Sequence, residues 1–139
     1  LDTIKDLLLK DPYFDYKGDP DVSFLPITQQ ALIECKGNSF ISRAYFQFHD
    51  ETLYIIIIEL NQSILDYYTL YTTLSGKYKN PTSLDPTEAV WIYSQVRMSL
   101  EKPLTVKYIY RKIFEELKAA GKAKEDIEEL AKEKFLEDF

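Results

Sequence analysis

The run Leu53-Tyr54-Ile55-Ile56-Ile57-Ile58 constrains what this chain can fold into more than any other segment. A strand with one face in a core and one in water alternates apolar with polar residues, and this run does not alternate. Its β-branched side chains favour extended backbone, so it reads as a central strand that needs cover on both faces. It is far too short to span a bilayer as a helix, and no transmembrane segment is expected.

The flanks supply neighbours. Ile27 to Lys36 reads as a strand ending in the turn cluster Lys36-Gly37-Asn38-Ser39. Phe40 to Phe48 follows, with Phe40, Ala44, Phe46 and Phe48 predicted to share one face, and His49-Asp50-Glu51-Thr52 connects it to the isoleucine run. Downstream, Ser63 is placed as a helix N-cap, and Ile64, Tyr67, Tyr71, Leu74 and Tyr78 recur at spacings of three and four. This stripe predicts a helix over 63–79, stopped by Pro81, as one cover of the isoleucine strand. Ala89 to Tyr93 and Val96 to Leu100 predict a hairpin around Ser94-Gln95. Leu104 to Tyr110 predicts a half-buried strand with Leu104, Val106, Tyr108 and Tyr110 on one face.

The ends read differently. Ile4, Leu7 and Leu8 predict a brief N-terminal helix halted at Asp11-Pro12. From there to Pro26, Asp, Pro and Gly surround Tyr13, Phe14 and Tyr16, which predicts an arm packed over the sheet. Arg111 to Ala120 reads as a helix capped by Gly121, and Lys122 to Phe139 as a second, with Glu128 and Lys132 one turn apart. The expected architecture is an α+β domain over 1–139, with a mostly antiparallel sheet in a βββα-βββα order: arm 1–26, sheet and central helix 27–110, C-terminal helices 111–139. At 139 residues a single core needs neither disulfide nor structural metal.

Composition narrows the function classes. A net charge of −6 and a pI near 4.8 oppose phosphate-backbone binding, so no nucleic-acid partner is expected. Cys35 is the only cysteine, which excludes an intrachain disulfide and zinc sites of the usual spacing; it reads as a small apolar filler on the inward face. A chain that opens on Leu1 rather than methionine is expected to be a trimmed or processed product.

No catalytic constellation emerges. His49 is the only histidine and has no predicted orienting partner, no serine sits in a nucleophile elbow, and four glycines leave no phosphate-cradling loop. The acidic stretch Asp11 to Asp21 lacks the closing acid of a calcium loop and is interrupted by Lys17. Asn61-Gln62-Ser63 matches a glycosylation acceptor, but Ser63 has a structural task at the helix start. Neither catalytic residues, nor metal ligands, nor a cofactor site is therefore assigned.

What stands out is aromatic content: eleven Tyr, eight Phe and one Trp make up 14% of the chain. Tyr68, Tyr71, Tyr78, Trp91, Tyr93 and Tyr108 are the candidate contact residues for a ligand or partner. Tyr68 falls off the helical stripe and is the better candidate for an exposed contact.

The middle of the chain resembles small uncharacterised α+β domains of bacterial secreted proteins and lipoproteins. The residues that carry this are Phe46-Gln47-Phe48-His49-Asp50-Glu51-Thr52-Leu53-Tyr54, Leu74 with Lys77-Tyr78-Lys79-Asn80-Pro81, Ala89-Val90-Trp91, and Val106-Lys107-Tyr108. In those domains the helix ends in Lys-Tyr-Gly-x-Pro; here Lys79 stands where the glycine would be. The resemblance implies a periplasmic or envelope location and a binding or assembly role, and it carries over no active-site residue.

Three function classes follow. The first is a non-enzymatic interaction or assembly domain of a cell-envelope protein, with a protein partner or self-association through a sheet face or edge. The second is a carrier or sensor for a small apolar ligand near Tyr71, Tyr78, Trp91 and Tyr108. The third is an enzyme using the carboxylates Glu34, Glu59, Glu88 or Glu101, which on outward strand positions also serve as ordinary solubilising charges.

Overall fold

The computed structural model describes residues 1–25, 29–121 and 135–136. Within them the fold is α+β, with helices packed on a mostly antiparallel sheet. Helix α1 (Asp2–Lys10) opens the chain and stops at Asp11, whose backbone is extended ahead of Pro12. The arm that follows is more regular than its composition predicts: β1 (Phe14–Asp15) and β2 (Val22–Leu25) flank a single 3-10 turn, and both pair with β3 (Gln30–Gly37). Phe14, Tyr16 and Val22 anchor it to the core.

β4 (Ile41–His49) and β5 (Thr52–Leu60) complete a meander with β3. Two backbone features set its register. A Cβ on Gly37 would collide with the backbone oxygen of Ile41, so the β3–β4 connection requires glycine at that point. The β4–β5 turn places Asp50 and Glu51 at φ 48° and 65°, the pair of positive values that matches the twist of a two-residue hairpin.

Helix α2 (Tyr67–Tyr78) leads to the short strand β6 (Ser83–Leu84) and a second meander, β7 (Glu88–Tyr93), β8 (Val96–Glu101) and β9 (Thr105–Tyr110). A third helix, α3, covers 111–121 of the described residues and includes Gly121, so the helix continues through the expected cap position. The second C-terminal helix predicted over 122–139, with its Glu128 and Lys132 pair, lies outside the described residues, apart from Phe135 and Leu136, which are helical and exposed.

The strand order is β1-β3-β4-β5-β9-β8-β7-β6, with β2 also on β3. The two meanders therefore meet where their last strands, β5 and β9, pair antiparallel, with Ile57 opposite Lys107. The βββα-βββα order holds, supplemented by three short strands, and the two halves share one sheet.

One face of that sheet is apolar from end to end. Ala31, Ile33, Cys35, Ala44, Phe46 and Phe48 form a core with Leu8 of α1, and Ile56 and Ile58 pack against it. Ala89, Trp91, Met98, Leu100 and Val106 form a second core with Leu74, and Tyr67, Leu70 and Tyr71 of α2 pack there too. The cover of the isoleucine strand is thus not the one predicted: its inward isoleucines join the core beneath α1, while α2 lies over the second meander. Nor is the strand sealed on both sides, since all four isoleucines are half-buried.

Two further expectations shift. Phe40 does not share the inward face; it sits before β4, exposed, with its ring 6.2 Å from Tyr13. A bulge between Ile41 and Arg43 breaks the alternation ahead of Ala44. The cap of α2 is Asp66 rather than Ser63: its carboxylate accepts from Thr69 N at 2.7 Å and from Thr69 Oγ1 at 2.9 Å. Ser63 lies in the preceding turn, where its own N–H donates to Asn61 Oδ1. Ile64 is accordingly exposed and outside the helix.

Candidate functional site

The six candidate contact residues divide between two concavities beside α2. Tyr78, Trp91, Tyr93 and Tyr108 line a hollow of about 280 Å³ at the C-terminal end of the helix. Tyr68 and Tyr71 belong to a wider basin of about 720 Å³ near its start. Tyr71 links the two, its ring lying 6.1 Å from that of Trp91.

The hollow is built from the end of α2 and the β7–β8 hairpin. α2 stops at Lys79, whose carbonyl accepts the Trp91 indole N–H at 3.0 Å. This bond fixes the large ring in the core, where Trp91 is 4% exposed, and with Met98 it makes a buried apolar floor. The chain then turns through Asn80 and Thr82, and Thr82 Oγ1 accepts from Ile92 N at 3.0 Å, tying the loop to the hairpin.

The rim is different in kind. Tyr78, Tyr93 and Val96 all expose large apolar surface, Tyr93 as much as 77%, while Ile92, next to Trp91 along β7, turns its side chain to the opposite sheet face. Tyr93 and Val96 face each other across the hairpin end, so the exposed groups cluster at one place. The Tyr108 hydroxyl is held above the usual tyrosine range by burial and secondarily by Tyr78, so it stays a neutral donor at physiological pH. The hollow thus offers an apolar floor, apolar walls and tyrosine hydroxyls, and among the described residues no carboxylate or ammonium lines it. Ile92, Val96 and Met98 were not among the sequence candidates. Ile92-Tyr93 and Val96 flank a short turn, and that adjacency is the signal that would have found them.

The four carboxylates are not scattered as their sequence positions suggest. Register puts Glu34, Glu59, Glu88 and Glu101 on the same sheet face, opposite the cores. Glu34 pairs with Arg43 at 2.6 Å, Glu88 with Arg97 at 3.7 Å, and Glu101 with Lys107 at 3.0 Å. Ion-paired acids of this kind complete a polar sheet face. His49 lies at the end of β4, opposite Thr52 and Gln30.

The acids of the N-terminal arm also have tasks. Asp11 accepts from Tyr13 N, Asp21 accepts from Lys17 N, and Asp15 pairs with Lys17. Among the described residues no group of three or more His, Cys, Asp or Glu is placed to hold a metal ion. The Asn61 amide of the acceptor motif donates to Ser39 O at 3.0 Å, which bridges the starts of two loops. No helix of the described residues is long and apolar enough to cross a membrane.

A family model for the TP0088 domain matches residues 1–120. No curated protein and no solved structure matches the chain.

Proposed function

We propose that this chain, which belongs to the TP0088 domain family, is a non-enzymatic binding module that takes an apolar side chain of a protein partner into the hollow beside Trp91. The observation that carries the reading is the contiguity of that hollow with the exposed rim of Tyr78, Tyr93 and Val96. A rigid, buried floor surrounded by exposed aromatic and aliphatic groups is the arrangement of an anchoring pocket, where one side chain supplies most of the binding energy.

Size favours this reading over that of an apolar-ligand carrier. Small-molecule pockets typically span roughly 300–1,000 Å³, and the hollow of about 280 Å³ falls below that range. One aromatic or branched aliphatic side chain fits it better than a whole lipid. The ion pairing of Glu34, Glu88 and Glu101 supports the non-enzymatic part of the proposal. The envelope setting rests on the sequence resemblance and is part of the same proposal.

A peptide-display selection on the immobilised chain tests this directly, counter-screened against a Tyr93→Ser, Val96→Asp double variant. The expected result is enrichment of sequences with an aromatic or aliphatic anchor that bind the parent, shift Trp91 fluorescence, and lose binding to the variant. Selected peptides indifferent to the variant would overturn the reading, as would tight Trp91-quenching binding of free fatty acids without peptide binding.

A further inference from the structure

The second concavity differs chemically from the first. It lies beside the first turns of α2 and is lined by Tyr67, Tyr68, Tyr71, Leu84, Asp85 and Lys102, together with Pro86. Unlike the hollow, it sets a carboxylate and an ammonium among its aromatic rings.

The basin is held from three sides. The Tyr67 hydroxyl donates to Leu100 O at 3.2 Å, which fixes that ring against the sheet. Asp85 Oδ1 accepts from Thr87 N, Thr87 Oγ1 and Glu88 N, at 2.7, 2.7 and 3.0 Å. Hydrogen bonds from the Thr87 hydroxyl and the two backbone N–H groups hold this carboxyl below the usual carboxylate range, so it is charged at neutral pH. Lys102 N donates to Thr87 O at 2.9 Å, which ties the β8–β9 turn to the Asp85 loop, and Lys102 Nζ lies 5.3 Å from the Tyr67 ring centre. Tyr68 stands open, 76% exposed.

Few ligand classes suit this set of groups. An anion meets Asp85 and an overall charge of −6. A cation finds the Tyr67 face already taken by Lys102. A wholly apolar ligand would take Asp85 Oδ2 and the Lys102 ammonium out of water while offering neither a hydrogen bond. A neutral ring with one C–H face and a rim of hydroxyls avoids all three penalties. Its C–H face packs on a tyrosine, one hydroxyl donates to Asp85 Oδ2, the oxygen left outside the Asp85–Thr87 turn, and another accepts from Lys102.

We propose that this basin is a carbohydrate-binding site that stacks a pyranose ring of a neutral oligosaccharide on Tyr68, between Asp85 and Lys102. It is independent of the protein-anchoring hollow, which contains none of these three residues.

The test is a titration of the isotopically labelled full chain with maltotriose, cellotriose and triacetylchitotriose, followed by backbone amide shifts and calorimetry. At least one should bind with a Kd of about 1 mM or tighter and perturb amides around Tyr68, Asp85 and Lys102. Because Tyr68 is exposed, Tyr68→Ala should leave the fold intact while weakening binding about tenfold, the effect of losing one stacked ring. Lys102→Ala should weaken it too, and the Tyr93→Ser, Val96→Asp variant should bind as the parent does. The proposal is overturned if none of the three sugars perturbs the basin, if affinity survives in Tyr68→Ala, if the shifts centre on Tyr93, or if the basin takes neutral peptides but no sugar.

Discussion

The Trp91 indole N–H donates to the carbonyl of Lys79 at 3.0 Å, and Lys79 is the residue at which α2 ends, with φ 65° and ψ −158°. That backbone region is open almost only to glycine, and a side chain held there stores roughly 1–3 kcal/mol. The strain sits beside the hollow and positions its aromatic floor. Lys79→Gly should relieve it, less the entropy that a glycine adds to the unfolded chain, for a net gain of about 1 kcal/mol. Urea unfolding followed by Trp91 fluorescence measures this. A neutral or destabilised variant would mean that Lys79 bears no strain.

The helix start makes a separate prediction. Asp66 accepts from Thr69 N and Thr69 Oγ1, and these bonds hold its carboxyl below the usual carboxylate range. A depressed folded value means that the stabilisation is full above the ordinary carboxylate pKa and is lost as pH falls through the folded value. Asp66→Ala should therefore lower the thermal midpoint at neutral pH by a few degrees, and the difference from the parent should shrink in acid. Ser63→Ala should leave the midpoint unchanged. If Ser63→Ala were the damaging substitution, the helix would begin where the sequence alone places it.

On the polar sheet face, Glu101 joins two strands. Oε2 accepts from the Ser99 hydroxyl at 2.9 Å and Oε1 from the Lys107 ammonium at 3.0 Å. Ser99 is fully buried, so Glu101→Ala removes the acceptor of a buried hydroxyl, a cost of about 1–3 kcal/mol. Glu101→Gln keeps an acceptor for Ser99 and should cost distinctly less. Chemical denaturation of the two variants separates the loss of the hydrogen bond from the loss of charge. Equal effects would assign the contribution to the Lys107 ion pair.

Periodicity carried the elements whose residues bury one face at regular spacing. β3, β4 and β9 are legible because Ile33-x-Cys35, Ala44-x-Phe46-x-Phe48 and Val106-x-Tyr108 alternate toward the apolar face, and β5 because its β-branched run is unbroken. Where sequence reading strayed, a non-local or single-residue cause intervened. The bulge near Ser42 turned Phe40 away from the core. The paired bonds to Thr69 made Asp66 a better cap than Ser63. Which helix covers which half of the sheet depends on β5 meeting β9, a pairing of residues some fifty positions apart that no local pattern encodes. The aromatic candidates were visible as residue types. Their division into a hollow and a basin was not, because Thr82, Asp85 and Lys102 come from loops, and Leu84 from a two-residue strand too short to show periodicity. Position 79 is a sharper case, since Lys79 adopts there the positive-φ backbone conformation that glycine favours.

Cys35 supports a last prediction. It lies on β3 opposite Ala44, 2% exposed, and burial first, then Asp21 and Asp15, push its thiol up from 9.0 to about 11. A raised folded value means that the folded state keeps a proton which the unfolded chain gives up. The contribution is therefore full below about pH 9 and lost as pH rises towards about 11, amounting to ~3 kcal/mol. The buried Tyr54 and the half-buried Tyr108, also raised by loss of solvation, add to the alkaline loss in the same direction. The cysteine share is isolated by comparison with Cys35→Ala, whose stability should fall less steeply over that window in urea titrations. At about pH 8 the native thiol should react with a disulfide reagent only as fast as the chain opens, and denaturant should accelerate labelling in step with unfolding. Rapid labelling of the folded chain would place Cys35 at an accessible edge between β1 and β2, and the inward face of β3 would then not be the filled core that anchors α1.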